Sequence, residues 1–178
     1  MNEQRTGHRR IDHIRDPAFV GGISELSLDD LRARRDECLA EREYLSLLRR
    51  LVQGRAEILR AELDARGSNQ NKGPLIDRLA QILAGDERQS PSRGEAVKVG
   101  LPEEEMLLAR RRIERLVSDA GISDPSALDD ANLASAVDLL ATEEREVSTA
   151  RADVIRVLDT LQDELKRRYR EDPTLVLS

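Results

Sequence analysis

The sequence predicts an all-α protein in which two long helices form an antiparallel coiled coil, with short additional helices in the connection between them. Of the 178 residues, 36% are charged and only 2% are aromatic. This composition suits a narrow aliphatic core between helices better than the wide core of an α/β domain. Two segments also carry a sustained heptad pattern of apolar residues, which is typical of paired helices.

The first long helix is predicted over residues 27–67. Ser27 is a suitable N-cap, and Gly67 stands where the apolar period stops. The preceding residues, 1–26, are predicted to be a flexible N-terminal arm, because they include Pro17 and Gly21-Gly22 and show no sustained period.

The connection over residues 68–129 is predicted to contain two short helices, at 74–84 and 102–119, with a flexible linker between them at 85–101. The second long helix is predicted over 130–172. It ends at Asp172-Pro173, and a short tail over 173–178 follows. Short helices in the connection favour a turnaround, so we expect the two long helices to pair in opposite directions.

The heptad seam of each long helix is mostly aliphatic, with charged interruptions that include Arg35, Arg42 and Arg49. Its apolar members are Leu28, Leu31, Cys38, Leu45, Val52, Ala56, Leu59 and Leu63 on the first helix, and Leu133, Val137, Leu140, Val147, Val154, Leu158, Leu161 and Leu165 on the second.

The two seams match at an offset of 102 residues, which indicates a weak internal repeat of one long helix. Core packing alone would repeat only apolar residues, whereas polar ones recur as well. The identical pairs include Glu41/Glu143, Ser46/Ser148, Arg49/Arg151, Glu62/Glu164 and Arg66/Arg168.

Several classes of function are disfavoured. The formal net charge of -6 argues against duplex DNA as a direct partner. No apolar run approaches the roughly 20 residues that span a bilayer, and the polar N-terminus does not resemble a signal peptide. A single cysteine, Cys38, lies on the seam, where a buried structural thiol is expected. We therefore expect a cytoplasmic protein that is not an enzyme and has no metal site.

The sequence feature that bears most directly on function is a polar stripe on each long helix. On the first helix it comprises Arg42, Ser46, Arg49, Gln53 and Glu57; on the second, Glu144, Ser148, Arg151, Ile155 and Asp159. Steps of three and four residues keep such side chains on one helical face. A guanidinium fork suits phosphate or the O6/N7 edge of guanine, and a carboxylate can accept from guanine N1–H and N2–H.

These stripes resemble the motif of the RsiG family, the cyclic-di-GMP-dependent anti-sigma factors of actinobacteria, which reads Glu-x3-Ser-x2-Arg-x3-Gln-x3-Asp. Both copies keep the Ser and the Arg. The first departs from the motif at Arg42 and Glu57, and the second at Ile155.

The resemblance implies that the paired helices bind cyclic-di-GMP, as two molecules, and that the loaded protein sequesters a sporulation sigma factor of the flagellar (WhiG) type from RNA polymerase. It also implies a role for each residue. Arg49 and Arg151 would contact phosphate or the guanine Hoogsteen edge, and Glu57 and Asp159 the Watson–Crick edge. Further hydrogen bonds would come from Ser46, Ser148 and Gln53.

Two other interpretations remain open. A structural or adaptor coiled coil without a small ligand would use the charged seam positions to set register. A ligand-independent anti-sigma factor would bind sigma without any nucleotide.

Overall fold

The computed structural model describes residues 6–67, 101–122 and 124–176, and within these ranges it contains helices and turns but no strand. The α-helices of the described part are α1 (Thr6–Arg15), α2 (Leu28–Gly67), α3 (Glu103–Asp119) and α4 (Asp130–Glu171). Short 3-10 turns cover Pro17–Phe19, Ile23–Glu25, Pro125–Ala127 and Pro173–Val176. The all-α prediction is confirmed. None of the described helices combines the length and the apolar character needed to cross a membrane.

Both long helices begin at side-chain caps. The Ser27 hydroxyl accepts a hydrogen bond from the backbone N–H of Asp30 at 3.0 Å, ahead of α2. The Asp129 carboxylate accepts one from the backbone N–H of Asn132 at 2.7 Å, ahead of α4. Such caps satisfy N–H groups that have no partner inside the helix. The predicted helix at 74–84 and the predicted linker at 85–101, except residue 101, lie outside the described residues.

The prediction of a flexible arm over residues 1–26 is wrong for residues 6–26. Helix α1 and two 3-10 turns occupy this segment, and Ile11, Ile14 and Phe19 are buried. The Arg34 guanidinium of α2 donates a hydrogen bond to the Phe19 carbonyl. The sequence does not reveal this order, because α1 is short and depends on contacts with residues far along the chain.

The chain divides into two compact units, each with one short helix and a segment of both long helices. The first unit is built from the described residues up to Arg49 and from Arg145 onward, and therefore contains α1. The second is built from the described residues between Arg50 and Glu144, and contains α3.

Within each unit the segments of α2 and α4 run in opposite directions. In the first unit, Arg32 Nε donates to the Tyr169 hydroxyl at 3.1 Å, and further along α2 Ser46 accepts from Arg151 at 2.9 Å. In the second unit, Gln53 donates to Glu144 at 3.2 Å, and Arg66 donates to Asp130 at 3.1 Å. Within each unit, the residue numbers of the contacting partners thus increase along α2 as they decrease along α4.

Most of the predicted seam is buried. The fully buried members are Leu31, Cys38, Leu45, Val52, Ala56 and Leu59 on α2, and Leu133, Leu140, Val147, Val154, Leu158, Leu161 and Leu165 on α4. Leu28, Leu63 and Val137 are only half-buried.

A second buried face of α2 was not predicted from the heptads. Glu41, Tyr44 and Leu48 are buried there, and the Glu41 carboxylate forms an ion pair with Arg10 of α1 at 2.5 Å. In the second unit, Glu143 of α4 pairs in the same way with Arg112 of α3 at 2.7 Å. In the described part of each unit, three helical segments therefore pack together instead of the two that the seam alone predicts.

These two ion pairs belong to an internal repeat that is longer than the long helices. Arg10 and Arg112 lie 102 positions apart, and so do Glu41 and Glu143. A second pair of equivalent contacts involves backbone carbonyls. Arg168 donates to Leu26 at 2.7 Å and to Ile23 at 2.9 Å; its counterpart Arg66 donates to Leu128 at 2.5 Å and to Pro125 at 3.0 Å. The repeat thus includes the short helix, the turn and the long helix.

The Arg168 contacts predict a measurable contribution to stability. Its side chain is 15% exposed and also pairs with Glu164 at 2.8 Å. Hydrogen bonds from Arg167 and Arg168 lower the pKa of Glu164 to about 2, so this carboxylate is charged at neutral pH. We expect Arg168→Ala to lower the free energy of unfolding by about 2 kcal/mol, because several hydrogen bonds to a charged group are lost. Thermal denaturation should show a decrease in Tm of about 4–8 °C.

Arg167→Ala is the matched control, since its side chain is 50% exposed and contacts only Glu164 and Glu171 among the described residues. Exposed ion pairs contribute little to stability, so this variant should melt near the wild-type temperature. Equal shifts for the two variants would contradict a special role for Arg168.

Candidate ligand-binding site

The nine predicted ligand-binding residues are distributed over both units. Those of the first unit are Arg42, Ser46, Arg49, Ser148, Arg151 and Asp159; those of the second are Gln53, Glu57 and Glu144. All are half-buried except Glu57 and Asp159, which are exposed. Half-burial lets a guanidinium or carboxylate keep much of its hydration while it remains accessible to a ligand.

In the first unit, the Ser and the Arg of different stripes are in contact. Arg151 Nε of α4 donates to the Ser46 hydroxyl of α2 at 2.9 Å, and that hydroxyl donates to the Arg42 carbonyl at 2.7 Å. The Arg42 guanidinium pairs with its neighbour Glu43 at 2.8 Å. The two residue types that both copies of the motif preserve therefore meet across the helices.

In the second unit, the three predicted residues line one cavity of about 230 Å³. Gln53 Nε2 of α2 donates to Glu144 of α4 at 3.2 Å. Glu57 and Arg60 contribute two further charged groups, and the apolar lining comes from Ala56, Leu140 and Ala141. The cavity thus offers amide, carboxylate and guanidinium groups beside a smaller apolar surface, so it is suited to a polar ligand.

Arg60 was missed in the sequence analysis. It lies three residues after Glu57 on α2, so the two side chains share a face of the helix. Its helical spacing from Glu57 could have identified it, but Arg60 lies three residues after the last of the five stripe positions.

The described residues show no arrangement that suggests catalysis. Cys38 is fully buried, and burial raises the pKa of its thiol to about 12, so the reactive thiolate is scarce at neutral pH. Among the residues that the structure describes, no group of three or more His, Cys, Asp or Glu side chains is placed to hold a metal ion.

Comparison with known protein families gives a match that covers the segment containing the first stripe. Residues 17–83 match the family model described as RsiG-like. The chain is therefore similar to the RsiG-like family over 67 of its 178 residues, which is less than half of its length. The match includes all of α2 and the first polar stripe, and it ends before α3 and α4. The comparison with curated proteins found no match to this chain.

Proposed function

We propose that this chain is a cyclic-di-GMP-dependent anti-sigma factor. In this proposal α2 and α4 form an antiparallel coiled coil whose polar stripes bind two cyclic-di-GMP molecules. The loaded protein then sequesters a sporulation sigma factor of the flagellar (WhiG) type from RNA polymerase, in the bacterial cytoplasm.

One observation carries this proposal: the 2.9 Å hydrogen bond between Arg151 and Ser46. A motif present once on each of two helices can bind one ligand only if the copies come together. Within the first unit this contact brings the Arg of one copy to the Ser of the other. The reversed order of contacts along α2 and α4 supports the antiparallel pairing.

The chemistry of the stripes suits a cyclic dinucleotide of guanine. The half-buried Arg49 and Arg151 supply planar guanidinium groups for phosphate oxygens or the guanine O6/N7 edge. Glu57, Glu144 and Asp159 supply carboxylates that accept from guanine N1–H and N2–H. Two cyclic dinucleotides carry about four negative charges, so an acidic protein needs arginines concentrated where they bind.

Ligand dependence follows if cyclic-di-GMP binds the complex with sigma more tightly than it binds the free protein. Binding of each partner then strengthens binding of the other by the same factor. A fall in cyclic-di-GMP releases sigma because the complex loses this coupling free energy.

A specific observation favours the adaptor alternative. Ser46 with Arg151 and Gln53 with Glu144 form hydrogen bonds between α2 and α4, each within its own unit. Such pairs would also fix the register of a plain coiled coil.

Calorimetric titration of the purified chain with cyclic-di-GMP, alone and with a flagellar-type sigma factor, separates these functions. We expect saturable binding that is tighter when sigma is present. Cyclic-di-AMP is the matched control ligand, because adenine N1 is an acceptor and would face a carboxylate. No heat with either nucleotide would contradict the proposal. Sigma binding without nucleotide would then indicate a ligand-independent anti-sigma factor, and its absence an adaptor.

A further inference from the structure

The internal repeat allows the cavity of the second unit to be compared, residue by residue, with the equivalent positions of the first unit. Each lining residue has a counterpart 102 positions away in the sequence. If the two motif copies formed equivalent sites, these counterparts would have similar size and charge. Glu57 and its counterpart Asp159 are both carboxylates, but the other lining residues differ from their counterparts in size, in charge or in both.

The hydrogen-bonded pair in the polar lining of the cavity is not repeated. Gln53 and Glu144 form a hydrogen bond at 3.2 Å in the second unit. Their counterparts in the first unit are Ile155 and Arg42. An apolar side chain thus replaces the amide, and a cation whose guanidinium pairs with Glu43 at 2.8 Å replaces the carboxylate. Two of the three departures from the family motif, Arg42 and Ile155, are therefore the counterparts of this hydrogen-bonded pair.

The small residues of the cavity are not repeated either. Ala56 and Ala141 line it in the second unit. Their counterparts are Leu158, which is 2% exposed, and Leu39, which is half-buried. Each leucine adds an isopropyl group where the second unit has only a methyl group. Two large side chains thus occupy positions that leave space in the cavity.

The charged mouth of the cavity suits a guanine base. Its volume of about 230 Å³ is below the roughly 300–1,000 Å³ of pockets that enclose a drug-sized ligand, so it is better matched to one base than to a whole dinucleotide. Glu57 can accept from guanine N1–H and N2–H, and Arg60, one turn further along α2, can donate to the adjacent O6 and N7. The counterpart of Arg60 is Gln162, which has no charge and no fork.

We propose that the binding surface is asymmetric, with the cavity of the second unit as its main guanine pocket and Arg60 as a further ligand-binding residue. This inference rests on the proposed function, since it takes cyclic-di-GMP as the ligand. It adds a residue outside the motif, and it assigns unequal roles to the two copies.

The test compares Arg60→Ala with Gln162→Ala in calorimetric titrations of cyclic-di-GMP into the full chain with sigma present. Arg60→Ala should weaken binding by about ten- to a hundredfold, the usual effect of losing a bidentate contact with guanine. Gln162→Ala should change the affinity by less than about twofold. Circular dichroism of both variants checks that helicity is retained.

Ala141→Leu provides a second, independent test, because it inserts the residue that the first unit has at the equivalent position. We expect it to weaken binding by about tenfold, whereas Ala134→Leu should not. Ala134 is a fair control, since it is half-buried like Ala141, lies two turns earlier on α4 and does not line the cavity.

Equal effects of Arg60→Ala and Gln162→Ala, or wild-type affinity in both Arg60→Ala and Ala141→Leu, would overturn the asymmetry while the proposed function stands. Failure of the wild-type chain to bind cyclic-di-GMP would instead overturn the proposed function, and this inference with it.

Discussion

Arg49→Ala is expected to abolish detectable cyclic-di-GMP binding and to leave the helical content nearly unchanged. Arg49 lies at the motif position where both copies carry Arg. Its counterpart in the second copy, Arg151 of α4, donates a hydrogen bond to Ser46 of α2. If the ligand covers the half-buried Arg49 guanidinium in the complex, loss of this charged partner should weaken binding by about a hundredfold or more. Alanine is the best helix former, so α2 should tolerate it.

Two further variants make this experiment specific. Arg49→Lys keeps the charge but loses the planar fork, so it should bind with intermediate affinity. Arg50→Ala removes an exposed arginine that is adjacent in sequence but lies off the stripe, and it should bind like the wild type. A titration in which Arg49→Ala keeps wild-type affinity would show that the assigned role of Arg49 is wrong.

Ile14→Ala is expected to lower the free energy of unfolding by about 2–5 kcal/mol, the range for truncating a buried isoleucine. Ile14 is only 1% exposed, although it lies in the segment that the sequence analysis predicts to be flexible. Truncation would leave a void that the surrounding side chains would close only in part. Urea denaturation followed by circular dichroism measures the change.

Asp12→Ala is the control for this second prediction. Asp12 lies on the same helix α1 but is exposed, so its replacement should be nearly neutral. If Ile14→Ala were as stable as Asp12→Ala, the N-terminal segment would not contribute to the folded core, and the flexible arm of the sequence analysis would be the better description.

Part of the candidate site could be predicted from the sequence. The stripes follow from helical spacing, and two of their contacts, Arg151 with Ser46 and Gln53 with Glu144, are present in the structure. The cavity could not be predicted from the sequence, because it depends on which residues of α4 lie opposite Ala56, Glu57 and Arg60 of α2. That pairing joins residues more than eighty positions apart, and a heptad pattern does not specify it.

The sequence by itself determined the long helices, most of their buried seam and the polar stripes, because these depend on spacings of three to seven residues along one helix. Only the tertiary structure decided that residues 6–26 join the first unit, that Glu41 is buried against Arg10, and that Arg66 and Arg168 bind the carbonyls of the turns. The physical reason is separation along the chain. Arg168 contacts Leu26 across 142 positions, and a repeat in the sequence shows that two such contacts are equivalent without showing what either residue contacts.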